Sequence, residues 1–174
     1  MIFIITGSRG VGKTTILLKL IEELKKNGTH SSGIMTPAVY NEENNKVGFY
    51  ALNVANDEQW ELGRSDKLLS GPSYGPFSFN EKGFTKANEI LEHVLISGSG
   101  DVFLDEIGPL ELSKRYGFFP NLSLIRSFDI HRNLYLVIRR SLIDQFVSKY
   151  LAGKDHTIIE ITMQNRGKTV LYNK

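Results

Sequence analysis

The chain opens on "MIFIIT" (1–6), a continuous run of β-branched, aromatic and other apolar residues that predicts a strand buried on both faces. Beyond a glycine-rich stretch, "TTILLKLIEELKKNG" places Leu17, Leu20, Ile21 and Leu24 at helical spacing, and Gly28 supplies a stop. Strand, glycine turn and helix form the first half of a βα unit. The period then changes. "GIMTPAVY" and "VGFYALNV" alternate as strands around the polar turn "NEENNK", which predicts a hairpin, and "QWELGR" (59–64) predicts a further short strand. "SGPSYGPFSFN" (70–80) is rich in Gly, Pro and Ser and reads as an irregular surface loop.

The α/β alternation resumes with "NEKGFTKANEILEHVLISG", whose Phe84, Ala87, Leu91 and Val94 share one helical face. "DVFLDEIG" (101–108) is an apolar strand ending in two carboxylates, and residues 120–128 read as helical after Pro120. "NLYLVIR" predicts a strand, "SLIDQFVSKYLAG" a helix with Ser141 as N-cap, and "HTIIEIT" a last buried strand before a tail that could pair at an edge. Strands alternating with helices imply a largely parallel sheet covered on both faces, interrupted by a β insertion.

Composition narrows the chemistry. The 174 residues suit a single domain, and a formal charge of +2 offers no global attraction to nucleic acid or to an acidic membrane surface. No cysteine is present, which excludes disulfides, thiolate metal sites and cysteine nucleophiles. His30, His93, His131 and His156 lie far apart without paired spacing, so no dedicated zinc site is expected. No apolar run reaches the roughly 20 residues of a membrane span, and the N-terminal run lacks the basic flank of a signal peptide. A cytoplasmic monomer is the expectation.

The glycine-rich stretch carries the first chemistry. Gly7, Ser8, Arg9, Gly10, Val11, Gly12, Lys13 and Thr14 fit G-x-x-x-x-G-K-[ST] at every fixed position, between a buried strand and a helix. Glycines allow successive N–H groups to turn inward on phosphate oxygens, and the helix start adds its dipole and unpaired N–H groups. In such a cradle Lys13 reaches the β- and γ-phosphates, the Thr14 hydroxyl ligates Mg²⁺, and Thr15 continues the anion-facing first turn.

Asp105 and Glu106 close the strand "DVFLDEIG". In an open parallel sheet ligands gather at the carboxyl ends of the strands, which would bring Asp105 towards Thr14 and a Mg²⁺ ion. A carboxylate beside it could orient or deprotonate water in line with the γ-phosphate, the role predicted for Glu106. Adjacent residues of an ideal strand point to opposite faces, so both can serve one site only if the chain turns at the strand end.

Together the P-loop, "FLDEIGPLELS", the hairpin "SGIMTPAVYNEENNKVGFYALNV", "FNEKGFTKAN" and the closing "ITMQNRG" resemble the nucleoside-triphosphatase family of the small thermophilic NTPases and the human cancer-related NTPase, nearly end to end. The resemblance implies a RecA-like α/β P-loop fold, with a mostly parallel sheet flanked by helices and a β-hairpin insertion at about residues 31–63. It implies Mg²⁺-dependent hydrolysis of several nucleoside triphosphates with little base selectivity, with Glu106 as base, and raises Asn165 and Arg166 as candidates near the nucleotide; slow turnover is expected because no arginine is clearly delivered to the γ-phosphate. Two segments depart from the pattern: Ala38-Val39-Tyr40 stands where the family has Glu-Val-Arg, and Ile138-Arg139-Arg140 lacks the family's Thr-x-Pro.

Two other readings share the same core. A small-molecule kinase would need an acceptor site, for which Tyr74, Phe77 and Phe79 are candidates; a nucleotide-gated binding module would use hydrolysis as a timer. Trp60 could stack on a base, though packing explains it more simply.

Overall fold

The computed structural model describes residues 1–129 and 131–167. In chain order the elements are β1 (Ile2–Gly7), α1 (Lys13–Lys26), β2 (Ser31–Met35), β3 (Ala38–Tyr40), β4 (Lys46–Asn53), β5 (Gln59–Arg64), β6 (Ser73–Tyr74), β7 (Phe77–Phe79), α2 (Glu81–Ile96), β8 (Asp101–Ile107), α3 (Pro109–Leu112), β9 (Leu134–Ile138), α4 (Ile143–Tyr150) and β10 (His156–Ile161). Short 3-10 segments span Phe119–Ser127 and Arg140–Leu142.

Among the described residues one ten-stranded sheet runs in the order β10-β1-β9-β8-β2-β4-β5-β7-β6, with β3 paired to β4. The pairs from β10 to β2 are parallel, and those from β2 through β4, β5 and β7 to β6 are antiparallel. The sheet is therefore mixed. Its parallel half matches the expected P-loop architecture, and the β insertion continues the same sheet instead of standing apart from it.

Alternation along the parallel strands feeds two cores. Ile2, Ile4, Val102, Leu104, Leu134 and Leu136 pack on one face with α2 and α4, through Leu91 and Phe146 among others. Phe3, Ile5, Phe103, Tyr135 and Val137 pack on the other against Leu17, Leu20 and Ile21 of α1. Phe3, Tyr135 and Phe103 are neighbours in register across β1, β9 and β8, with ring centroids 4.9 and 4.7 Å apart and nearly parallel planes. A one-residue slip would throw this row to the opposite face, so the stack pins the register that aligns the functional strand ends.

Several boundaries differ from the sequence reading. Ser31–Met35 belongs to the parallel half, paired with β8, so the insertion begins after Met35 and extends to Phe79. The 70–80 loop contains β6 and β7, where Phe79 joins the core. Ser141 is not an N-cap: it lies in the 3-10 turn, and α4 starts after Leu142 without a side-chain cap. The strand β10 is an edge strand among the described residues, with Ile158 exposed, because helices cover the sheet more centrally. The expected pairing of the tail falls on residues outside the described range.

Candidate active site

The P-loop joins β1 to α1 at the carboxyl end of the parallel strands. Val11 is buried and anchors the loop in the core beneath, while Ser8, Arg9, Gly10 and Thr15 are exposed at its mouth. Gly7 lies against β10, where a Cβ would come within 2.3 Å of the Ile161 carbonyl oxygen. Gly12 is the N-cap of α1 at φ 102°, a left-handed conformation that glycine adopts without strain. No side chain caps α1 and no acidic residue occupies its first turn, so the N–H groups and the positive end of the dipole stay available for an anion.

The Lys13 ammonium folds across the loop and donates to the carbonyls of Gly7 (3.0 Å) and Ser8 (2.9 Å). Burial lowers its pKa, Asp105 and Glu106 oppose that shift, and the positive charges of Arg139 and Lys46 add to it. Positive charge thus converges on the loop from three parts of the chain, the arrangement that a polyanionic ligand relieves.

Asp105 is fully buried at the end of β8 and meets α1 across the intervening β9. Its Oδ2 accepts from the Thr14 hydroxyl at 2.9 Å and from the Thr36 N–H at 3.2 Å. Its Oδ1 is buried without a hydrogen-bond partner. Burial, reinforced by the charge of Glu106, pushes the carboxyl up to about 6 against the hydrogen bonds from Thr14 and Thr36. A hydroxyl and a carboxylate in contact, with one carboxylate oxygen unsatisfied, are a donor set that fits a small hard cation. Among the described residues no cluster of three or more His, Asp or Glu side chains could hold a metal ion. A cation here would complete its shell with phosphate oxygens and water, as Mg²⁺ commonly does.

The geometric objection to pairing Asp105 with Glu106 is answered by a bulge. Leu104 pairs with Leu136 and Ile107 with Ile138, so Asp105 and Glu106 together oppose Val137. Glu106 takes φ 67°, a left-handed conformation for a non-glycine residue, and costs on the order of 1–2 kcal/mol. The bulge ends the alternation of faces. The Glu106 carboxylate is half-exposed, 3.8 Å from Lys46 Nζ, and its charge acts on both Lys13 and Asp105. Residues that sequence distance or strand geometry would separate therefore share one electrostatic neighbourhood.

A family model described as NTPase matches residues 2–172. The chain belongs to this NTPase family. Among curated relatives, the nucleoside-triphosphatase THEP1 of Sulfurisphaera tokodaii is 32% identical over 167 residues, covering 94% of this chain and 87% of that protein. The THEP1 of Methanopyrus kandleri is 28% identical, with the same two coverages. Among solved structures, THEP1 from the hyperthermophile Aquifex aeolicus superposes with a TM-score of 0.71 at 26% identity, covering 97% of this chain and 94% of that one. A human cancer-related nucleoside triphosphatase gives 0.68 at 25% identity, covering 94% and 90%.

Within this NTPase fold the remaining candidates separate. Asn165 closes the turn after β10, accepting from the Thr162 N–H at 2.8 Å and donating to the Glu160 carbonyl at 2.8 Å. Arg166 continues that turn through its N–H to the Thr162 carbonyl. Because Ile161 pairs with Gly7, the turn flanks the P-loop. Arg140 is tied to Glu160 at 2.7 Å, whereas Arg139 follows β9 directly and its charge is felt at Lys13. Trp60 donates to the Gly83 carbonyl and packs against the core. Of the aromatics suggested for a kinase acceptor site, Phe77 and Phe79 pack against Phe49, and Phe79 also against Tyr116, so both are engaged in packing.

Glu111 escaped sequence reasoning, although a carboxylate three residues after Gly108 carried the signal of a helix start. It is buried and accepts from the Gly108 and Phe118 N–H groups at 2.9 and 3.4 Å, bracing the turn after Glu106. Burial pushes its carboxyl from 4.5 up to about 8, against those two hydrogen bonds. The folded protein therefore keeps a proton that the unfolded chain releases, and stability falls as pH rises through this window. Between pH 6 and 8 the expected loss is about 2 kcal/mol, and Glu111→Gln should abolish that part of the slope in urea unfolding.

Proposed function

We propose that this chain hydrolyses nucleoside 5′-triphosphates to the diphosphate and phosphate, using Mg²⁺ and discriminating little between bases. The observation that carries the reading is the Thr14–Asp105 contact, which joins the first turn of α1 to the end of β8 beside Glu106. Thr14 would ligate the ion directly and Asp105 would hold its water shell; the ion supplies charge neutralisation on the phosphates. The P-loop N–H groups and Lys13 bind the phosphate chain, and Lys13 exchanges its contacts with Gly7 and Ser8 for phosphate oxygens. Glu106 orients the attacking water and accepts its proton as the bond from phosphorus to the bridging oxygen of the leaving diphosphate breaks. Arg139, at the end of the strand between the two halves of the site, adds positive charge on the γ-phosphate side.

The Asn165–Arg166 turn would border the base. Both the carbonyl and the amide of Asn165 are engaged within that turn, which supports weak base selection. A half-exposed general base in a wet site gains less from preorganised electrostatics than a sequestered one, so turnover is expected to be slow.

The test is phosphate release from ATP, GTP, CTP and UTP without an added acceptor. Release from all four that falls to background with EDTA is the expected result. Release confined to one nucleotide, or insensitive to chelation, refutes the corresponding part of the proposal.

A further inference from the structure

No side chain of the β insertion has a step in the chemistry outlined so far, yet one of them reaches the site. The antiparallel contact of β4 with β2 is confined to Ile34–Asn53 and Met35–Leu52. Because β4 runs opposite to the parallel strands, its first residue, Lys46, lies beyond Met35, past their carboxyl ends. There it pairs with Tyr40 in the β3–β4 hairpin. That is the end of the sheet where the P-loop, Asp105 and Glu106 gather.

We propose that Lys46 is a positioning residue that aims the Glu106 carboxylate, so that the insertion completes the catalytic site in cis. This rests on the reading of Glu106 as the group that orients water. The Lys46 ammonium stands 3.8 Å from Glu106 Oε1 and 5.6 Å from the centroid of the Phe49 ring, which is itself buried. The Lys46 side chain is 24% exposed and that of Glu106 49%, so the lysine is the anchored partner and the glutamate the one being held. Among the described residues no hydrogen bond engages the Glu106 carboxylate, and Lys46 supplies its ion pair. A carboxylate at the tip of a bulge has several rotamers open to it, and misplacement of a reacting group by about 1 Å can cost about 10²-fold in rate. An attraction from a hairpin braced on Phe49 selects among those rotamers.

The experiment compares Lys46→Met and Lys46→Arg with wild type in the Mg²⁺–ATP assay, alone and combined with Glu106→Gln. Lys46→Met should lower kcat about 10- to 100-fold with KM and ATP affinity nearly unchanged. Lys46→Arg should recover most of the loss, and Lys46→Met should add nothing to the residual turnover of Glu106→Gln, since the two act as a unit. Wild-type kcat in Lys46→Met overturns the inference. So does a raised KM at constant kcat, which would make Lys46 a substrate ligand, or a loss additive with that of Glu106→Gln. If Glu106→Gln itself turns over normally, the assignment of Glu106 fails first; if it is inactive while Lys46→Met is unimpaired, only the positioning role falls. Thermal unfolding of each variant separates these outcomes from misfolding.

Discussion

Glu106→Gln is expected to lower kcat by about 10²–10⁴-fold while nucleotide affinity and KM stay near their wild-type values. Glutamine keeps the shape of the side chain but cannot accept the proton of the attacking water. It leaves the P-loop, Lys13 and the Thr14–Asp105 contact intact, so binding should survive. Isothermal titration with a non-hydrolysable triphosphate, alongside phosphate release, separates the two quantities. The backbone allows a second check. Glu106 holds φ 67° at the bulge, a conformation that glycine tolerates better. Glu106→Gly should therefore be as inactive as Glu106→Gln yet no less stable than wild type in thermal unfolding. A residue whose removal abolishes turnover without destabilising the fold is retained for chemistry. Wild-type turnover in Glu106→Gln would remove the proposed base.

Lys13→Ala is expected to reduce kcat/KM by about 10³-fold and to weaken triphosphate binding with it. Lys13 contributes to both because its ammonium already lies over the loop, 3.0 and 2.9 Å from two carbonyl oxygens. Binding needs only an exchange of those acceptors for phosphate oxygens. Lys13→Arg should not rescue, since a planar guanidinium does not reproduce a compact three-donor charge inside a tight loop. The variant should fold, because partial burial disfavours the charged form of Lys13 in the protein as it stands. Near-normal affinity for triphosphate in Lys13→Ala would place the phosphates elsewhere.

These expectations draw on unequal shares of sequence and structure. The P-loop was legible because its residues are contiguous and each meets a local demand: positive φ at glycine, a helix start, a cation. The strand and helix periods of β1, α1, α2, β8 and β9 were equally clear, because burial on one face or both leaves a repeat in the sequence. The weaker readings were edges and caps. "HTIIEIT" has the composition of an interior strand, and nothing local records that helices leave β10 partly uncovered. Ser141 has the chemistry of an N-cap, but a 3-10 turn displaced the start of α4 beyond it. The extent of the insertion was misjudged at β2, whose sequence resembles that of its antiparallel neighbours although most of its length pairs in parallel with β8.

By itself the sequence determined that a glycine-rich loop would join β1 to α1, and that an apolar strand would carry Asp105 and Glu106 at its far end. Family membership followed from the same motifs. Only the tertiary structure decided how the pieces meet. The strand order places β9 between β1 and β8, so Thr14 and Asp105, 91 residues apart, share a hydrogen bond. The same order brings Arg139 near Lys13 while Arg140 is paired to Glu160. The bulge aims Glu106, and an antiparallel hairpin carries Lys46 to it. Local propensity acts over a few residues and can specify a loop or a helix start. Strand order, register and a bulge are settled by which distant faces bury one another, and those are the features that assemble the site.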